Sequence, residues 1–157
     1  MNTRLITTVA LVAVAAGSLG VGSWTVWGPS RQGLADPENQ RQVAQGEAVY
    51  KKHCASCHGA NLEGQPKWRI RKADGRLPAP PHDEDGHTWH HPDEHLFQIT
   101  KRSLRPPLAP EGYKSDMPGF GSVLKDEDIW AVLAFIKNSW PPRIRERQQR
   151  INEAYLK

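Results

Sequence analysis

The 157-residue chain has 21 basic and 17 acidic residues, a formal charge of +4, and 38% hydrophobic residues. With roughly the first 30 residues set apart, about 127 remain, the size of one domain. Residues 41–142 hold 14 basic and 13 acidic residues, whereas 143–157 hold five and two. The basicity is therefore a tail, not a spread face with interleaved aromatics, and nucleic acid is not an expected partner.

No charged residue falls between Leu5 and Trp27, 23 positions rich in Val, Ala, Leu and Gly, with Arg4 before and Arg31 after. About 20 apolar residues suffice to span a bilayer, and Trp24 and Trp27 suit the membrane interface. The same run has the parts of an export signal: a positive start, an apolar stretch and Ala13-Val14-Ala15 as a small-residue cleavage site. Residues 1–30 are thus expected to be a signal peptide or a transmembrane anchor. Either sends the rest to the periplasm, with residues 5–27 as an inner-membrane anchor if uncut.

Asp36-Pro37 reads as a helix start, with Asp capping free N–H groups and Pro suiting the first helical position. A helix from about Pro37 to about Cys54 places Val43, Gly46, Val49 and Tyr50 on related faces. It leads into Cys54-Ala55-Ser56-Cys57-His58, which contains both cysteines of the chain. A C-x-x-C-H pentad is the pattern of covalent c-type haem attachment. Two thiols so spaced can add to the vinyl groups of one haem, and the following imidazole reaches the iron. A thioredoxin-like dithiol would need a βαβ context, and a structural zinc site would need four N or S ligands. Neither is visible.

Residues 59–87 form a long loop rich in Gly, Pro and charge, and such a loop in a compact domain is usually functional. Five histidines follow closely: His82, His87, His90, His91 and His95. His53 lies beside Cys54. Any of the five can ligate iron or bind a second metal such as copper. The plainer reading has His90 and His91 satisfying free N–H groups at the helix that begins at Pro92-Asp93-Glu94 and runs through Leu96, Phe97 and Ile99.

A second irregular stretch, Pro106 to Gly121, holds Met117. The only other methionine is Met1, inside the export segment. Pro118 biases Met117 away from helical geometry, and Gly119 and Gly121 allow close backbone approach. His58 and Met117 are therefore the expected axial ligands, the His/Met pattern of electron carriers. A last helix follows Asp126-Glu127-Asp128, with Ile129, Trp130, Val132, Leu133, Phe135 and Ile136 at helical spacing, and Pro141-Pro142 ends it. No segment has strand periodicity, so the expected fold class is all-α, with a domain over 31–142. In the basic tail, 143–157, Ile144, Ile151 and Tyr155 share one side. It can pack on the domain, meet a redox partner or lie on an anionic membrane surface, and its charge-rich composition favours a solvated or lightly packed extension.

These residues resemble a class I cytochrome c over about residues 40–140. Gly46-x-x-x-Tyr50-x-x-x-Cys54 resembles the family's N-terminal helix, and Val132-Leu133-Ala134-Phe135-Ile136-Lys137 its C-terminal helix. Three stretches are similar to a narrower group of small bacterial extracytoplasmic monohaem members: Gly86 to Glu94, Tyr113 to Phe120, and Ile136 to Pro141. The resemblance implies helices wrapped around one covalent haem, Gly46 packed against Phe135, and a loop Pro carbonyl on Nδ1 of His58, with Pro78, Pro80 and Pro81 as candidates. Two features depart from the pattern. The 58 residues between His58 and Met117 are more than in the smallest members, and Lys125 stands where a capping Ser or Thr is common.

The expected function is one-electron transfer outside the cytoplasm, with a redox donor and acceptor as partners and no enzymatic activity of its own. Two alternatives stand beside it: a copper-handling protein using the His82–His95 cluster, and a haem enzyme or sensor with an open iron site.

Overall fold

The computed structural model describes residues 34–157, and the readings made for residues 1–30 lie outside them. The described residues form α1 (Gln40–His53), α2 (Ala55–His58), a 3-10 turn (Thr88–His90), α3 (Asp93–Arg102), α4 (Asp126–Asn138) and α5 (Pro142–Tyr155). They contain no strand, and the chain is all-α as its periodicity indicates. Among them no helix is long and apolar enough to cross a membrane.

The helix starts differ in detail from the sequence reading. Asn39, not Asp36, caps α1, its side chain accepting from the Gln42 N–H at 3.2 Å. Asp36 instead closes a turn by accepting from the Glu38 N–H. At α4 the Asp128 carboxylate reaches back to the N–H of Lys125 at 3.3 Å. That is one half of a capping box and answers the missing Ser or Thr. Neither His90 nor His91 caps α3. Its first amide, on Asp93, donates to Asn152 Oδ1 of α5 at 2.7 Å.

α1 crosses α4 at closest approach where Gly46 faces Ala131. A Cβ on Gly46 would lie 1.9 Å from the Ala131 carbonyl oxygen and 2.9 Å from Phe135 Cβ. Only glycine lets the two backbones meet so closely. Beside the crossing, Tyr50, Leu62, Val132, Ile136, Trp140 and Ile144 form one buried cluster, with Phe135 packed against it. Leu96, Phe97, Leu124, Ile129, Leu133 and Ala134 form another. There the Phe97 ring stacks on Trp130 with centroids 4.3 Å apart.

The tail is not a loose extension. It is helical from Pro142, the first-turn proline fitting the rule for helix starts, and it docks through polar groups. The Asp93 carboxylate, almost fully buried, accepts from Lys137 Nζ and Gln148 Nε2, both at 2.6 Å. Gln148 and Asn152 bond to each other, and Ile144 supplies the apolar anchor. Arg143 pairs with Glu84 at 2.8 Å and Arg145 pairs with Glu38. Much of the tail's charge is thus spent on the domain itself.

Candidate functional site

Cys54 ends α1 and starts α2, half-buried, and Cys57 lies exposed one turn on. Burial, and secondarily the neighbouring Cys57, push the Cys54 thiol up to about 11, so it is a neutral thiol at physiological pH. His58 closes α2 and is buried. The short helix brings the two thiols and the imidazole together in the C-x-x-C-H order that covalent haem attachment uses.

His58 Nδ1 lies 2.8 Å from the carbonyl oxygen of Pro80. A carbonyl only accepts, so Nδ1 carries the proton and Nε2 keeps its lone pair for a metal. Such a bond orients the ring and raises its basicity. Burial, opposed by this bond, lowers the His58 pKa below the usual histidine value and favours the neutral, ligating form. The choice among Pro78, Pro80 and Pro81 is settled by Gly64. At φ +68°, its missing Cβ would lie 2.4 Å from Pro81 N and 2.7 Å from the Pro80 carbonyl carbon. The Gly64 N–H donates to His58 O at 2.7 Å. The chain thus folds His58, Gly64 and Pro80 against one another. Tyr50 OH donates to Gly59 O at 2.8 Å and holds the start of the same loop.

Met117 is half-buried in the loop after α3. Its carbonyl accepts from Ser103 Oγ at 2.6 Å, and its N–H donates to Ser115 Oγ at 3.1 Å. Next to it, the Phe120 and Gly121 amides donate to the Thr100 and Lys101 carbonyls at the end of α3. A Cβ at Gly119 or Gly121 would meet that helix end at 3.0 Å, so both glycines serve the close approach expected of them. Across the surface, Asp116 pairs with Lys72 at 3.2 Å and Arg76 at 2.8 Å, which ties the Met117 loop to the loop from the haem motif.

The histidine run divides in two. His87, His90, His91 and His95 form a chain of ring contacts with centroids 4.8–5.0 Å apart. His90 also stacks on Trp89. His82 belongs elsewhere: its ring stacks on His58 with centroids 4.0 Å apart. Among the described residues no three His, Cys, Asp or Glu side chains are arranged to hold a metal ion. The sequence reading missed the parts played by Gly64, Thr88 and Trp140. The Pro80-Pro81-His82 run was the available signal for the first. Nothing local marks the other two.

A family model described as Cytochrome c matches residues 43–140. A subunit of a cbb3-type cytochrome c oxidase, FixP of Sinorhizobium medicae (strain WSM419), is 26% identical over 104 residues, 66% of this chain. The match spans only 32% of that relative's length. No solved structure matches the chain. The donor set fits the group that the family carries: two free thiols one helical turn apart, then a neutral imidazole with Nε2 available. The chain belongs to the cytochrome c family, whose cofactor is a covalently bound haem c and whose chemistry is electron transfer.

Proposed function

We propose that this chain is an electron carrier working outside the cytoplasm, with one haem c on Cys54 and Cys57 and with His58 and Met117 as axial ligands. The haem iron would supply a one-electron Fe(III)/Fe(II) couple. The observation that carries the reading is the His58–Pro80 bond, which fixes the tautomer with Nε2 open. The Met117 loop, pinned to the end of α3 by Ser103 and two backbone amides, supports the second ligand. Met117 would hold the iron with a neutral thioether, which would favour the ferrous state. The protein's own work is then to keep both ligands still and water out. The oxidase-subunit relative supports a respiratory donor and acceptor, and residues 5–27 supply an anchor or export signal.

The test is the ferric absorption spectrum of the exported, haem-loaded protein together with Met117→Ala. The parent is expected to show a weak long-wavelength methionine–iron band. The variant loses it, and its potential falls by on the order of 0.1 V or more, a part of the range that axial ligands control. An unchanged spectrum and potential would mean that Met117 is not a ligand. A high-spin parent that takes carbon monoxide readily would favour the open-site enzyme or sensor.

A further inference from the structure

His82 is a half-buried histidine that the haem-attachment chemistry does not use, yet its backbone and ring are both held in place. Its N–H donates to Leu62 O at 2.8 Å, and its carbonyl accepts from Trp140 Nε1 at 2.7 Å. Its Nδ1 lies 2.7 Å from Thr88 Oγ1. The edge of Tyr50 faces it at 6.4 Å and 74°. Tyr50, Leu62, Thr88 and Trp140 are themselves buried. The restraint ends in one contact: the His82 ring lies over the His58 ring, 4.0 Å between centroids and 23° between planes.

His58 needs that contact for a geometric reason. Its bond to Pro80 fixes one ring atom and the direction of one N–H. A hydrogen bond is soft, so the imidazole can still rock about Cβ–Cγ within the tolerance of that bond. A flat neighbour against the face removes the remaining freedom. The plane of an axial imidazole decides which iron d-orbitals overlap its π-system, so the neighbour sets an electronic property as well as a shape.

We infer that His82 is a positioning residue for the axial ligand: stacked on His58 and tethered by Thr88 and Trp140, it fixes the plane of the imidazole at the iron. The inference rests on His58 being that ligand, as proposed above.

The experiment compares ferric, haem-loaded parent, His82→Leu and His82→Phe by proton NMR of the haem methyl groups, whose order and spread report the axial imidazole plane. Thermal stability is measured alongside. The Leu variant, which keeps bulk but loses the flat face, is expected to change the order or compress the spread while retaining the methionine–iron band. The Phe variant, which keeps the flat face, is expected to restore the parent pattern. A Leu variant with lower stability and an unchanged pattern would overturn the inference. So would Leu and Phe variants that alter the pattern equally. If His82→Leu yields no holoprotein, Thr88→Val is read instead, since it frees the ring without removing it: a changed pattern supports the tether and an unchanged one refutes it. A parent without histidine-ligated low-spin iron would overturn the ligand assignment itself, and the parent spectrum alone reveals that.

Discussion

The loops that carry the Pro80 acceptor and Met117 are held by different physics. The loop after His58 is fixed from inside. Pro80 meets His58, His82 meets Leu62 and Trp140, and Gly64 lies under the Pro80–Pro81 backbone. The loop carrying Met117 is fixed along one edge, by Ser103 and the last carbonyls of α3, and across the surface by Asp116 with Lys72 and Arg76. Breaking a buried bond leaves an unpaired polar group in the interior, whereas an exposed ion pair is replaced by water at little cost. The histidine loop is therefore the more rigid of the two, and the methionine loop, which leans in part on exposed pairs, the more compliant.

The largest expected effect that would sharpen this contrast is Gly64→Ala. The added methyl meets backbone, not a yielding side chain, and at a positive φ as well. It should cost about 2–4 kcal/mol in denaturant unfolding of the holoprotein, from overpacking and backbone strain together. A loss under 1 kcal/mol would show that the histidine loop is softer than its contacts suggest. Trp140→Phe keeps most of the apolar bulk but orphans the His82 carbonyl. An expected loss of about 1–3 kcal/mol follows from an unsatisfied buried acceptor.

A smaller effect concerns acid. Burial, and then the nearby His87, lower His91 to about 4. That lies below an unfolded value near 6.5, so between the two the unfolded chain binds more protons. The contribution is complete above about pH 6.5 and is lost as pH falls toward 4. His91→Gln should flatten that limb of stability against pH by about 1 kcal/mol, allowing for partial solvent screening. The smallest effect is expected on the compliant side. Asp116→Asn should cost no more than about 1 kcal/mol, and that difference should vanish in high salt. A loss comparable with that of Gly64→Ala would break the contrast.

Much of this architecture was legible in the chain. The pentad at Cys54–His58, the apolar period of α4 and the Pro-Asp-Glu start of α3 each follow from local rules that tertiary structure did not override. Gly119 and Gly121 were readable as sites of close approach, although not what each approaches, and the resemblance paired Gly46 with Phe135, whose Cβ lies beside it. What escaped the sequence lies in contacts between distant positions. Asn39 displaced Asp36 as the cap because the chain spends Asp36 on a turn. The tail looked solvated or lightly packed because it is rich in charge, and the burial of Gln148 is intelligible only once Asp93, 55 residues before it, is seen to accept from it. The choice of Pro80 needed Gly64, and the role of His82 needed Trp140, 58 positions on. Polar partners at that range leave no periodicity to detect.

The capping of α3 by Asn152 makes that helix a transmission rod. At one end it takes its first hydrogen-bond partner from α5, and at the other its last carbonyls carry the backbone beside Met117. Tension applied at the C-terminus therefore reaches the methionine loop along ten residues of helix. A cargo tethered after Lys157 would pull on the more compliant of the two loops.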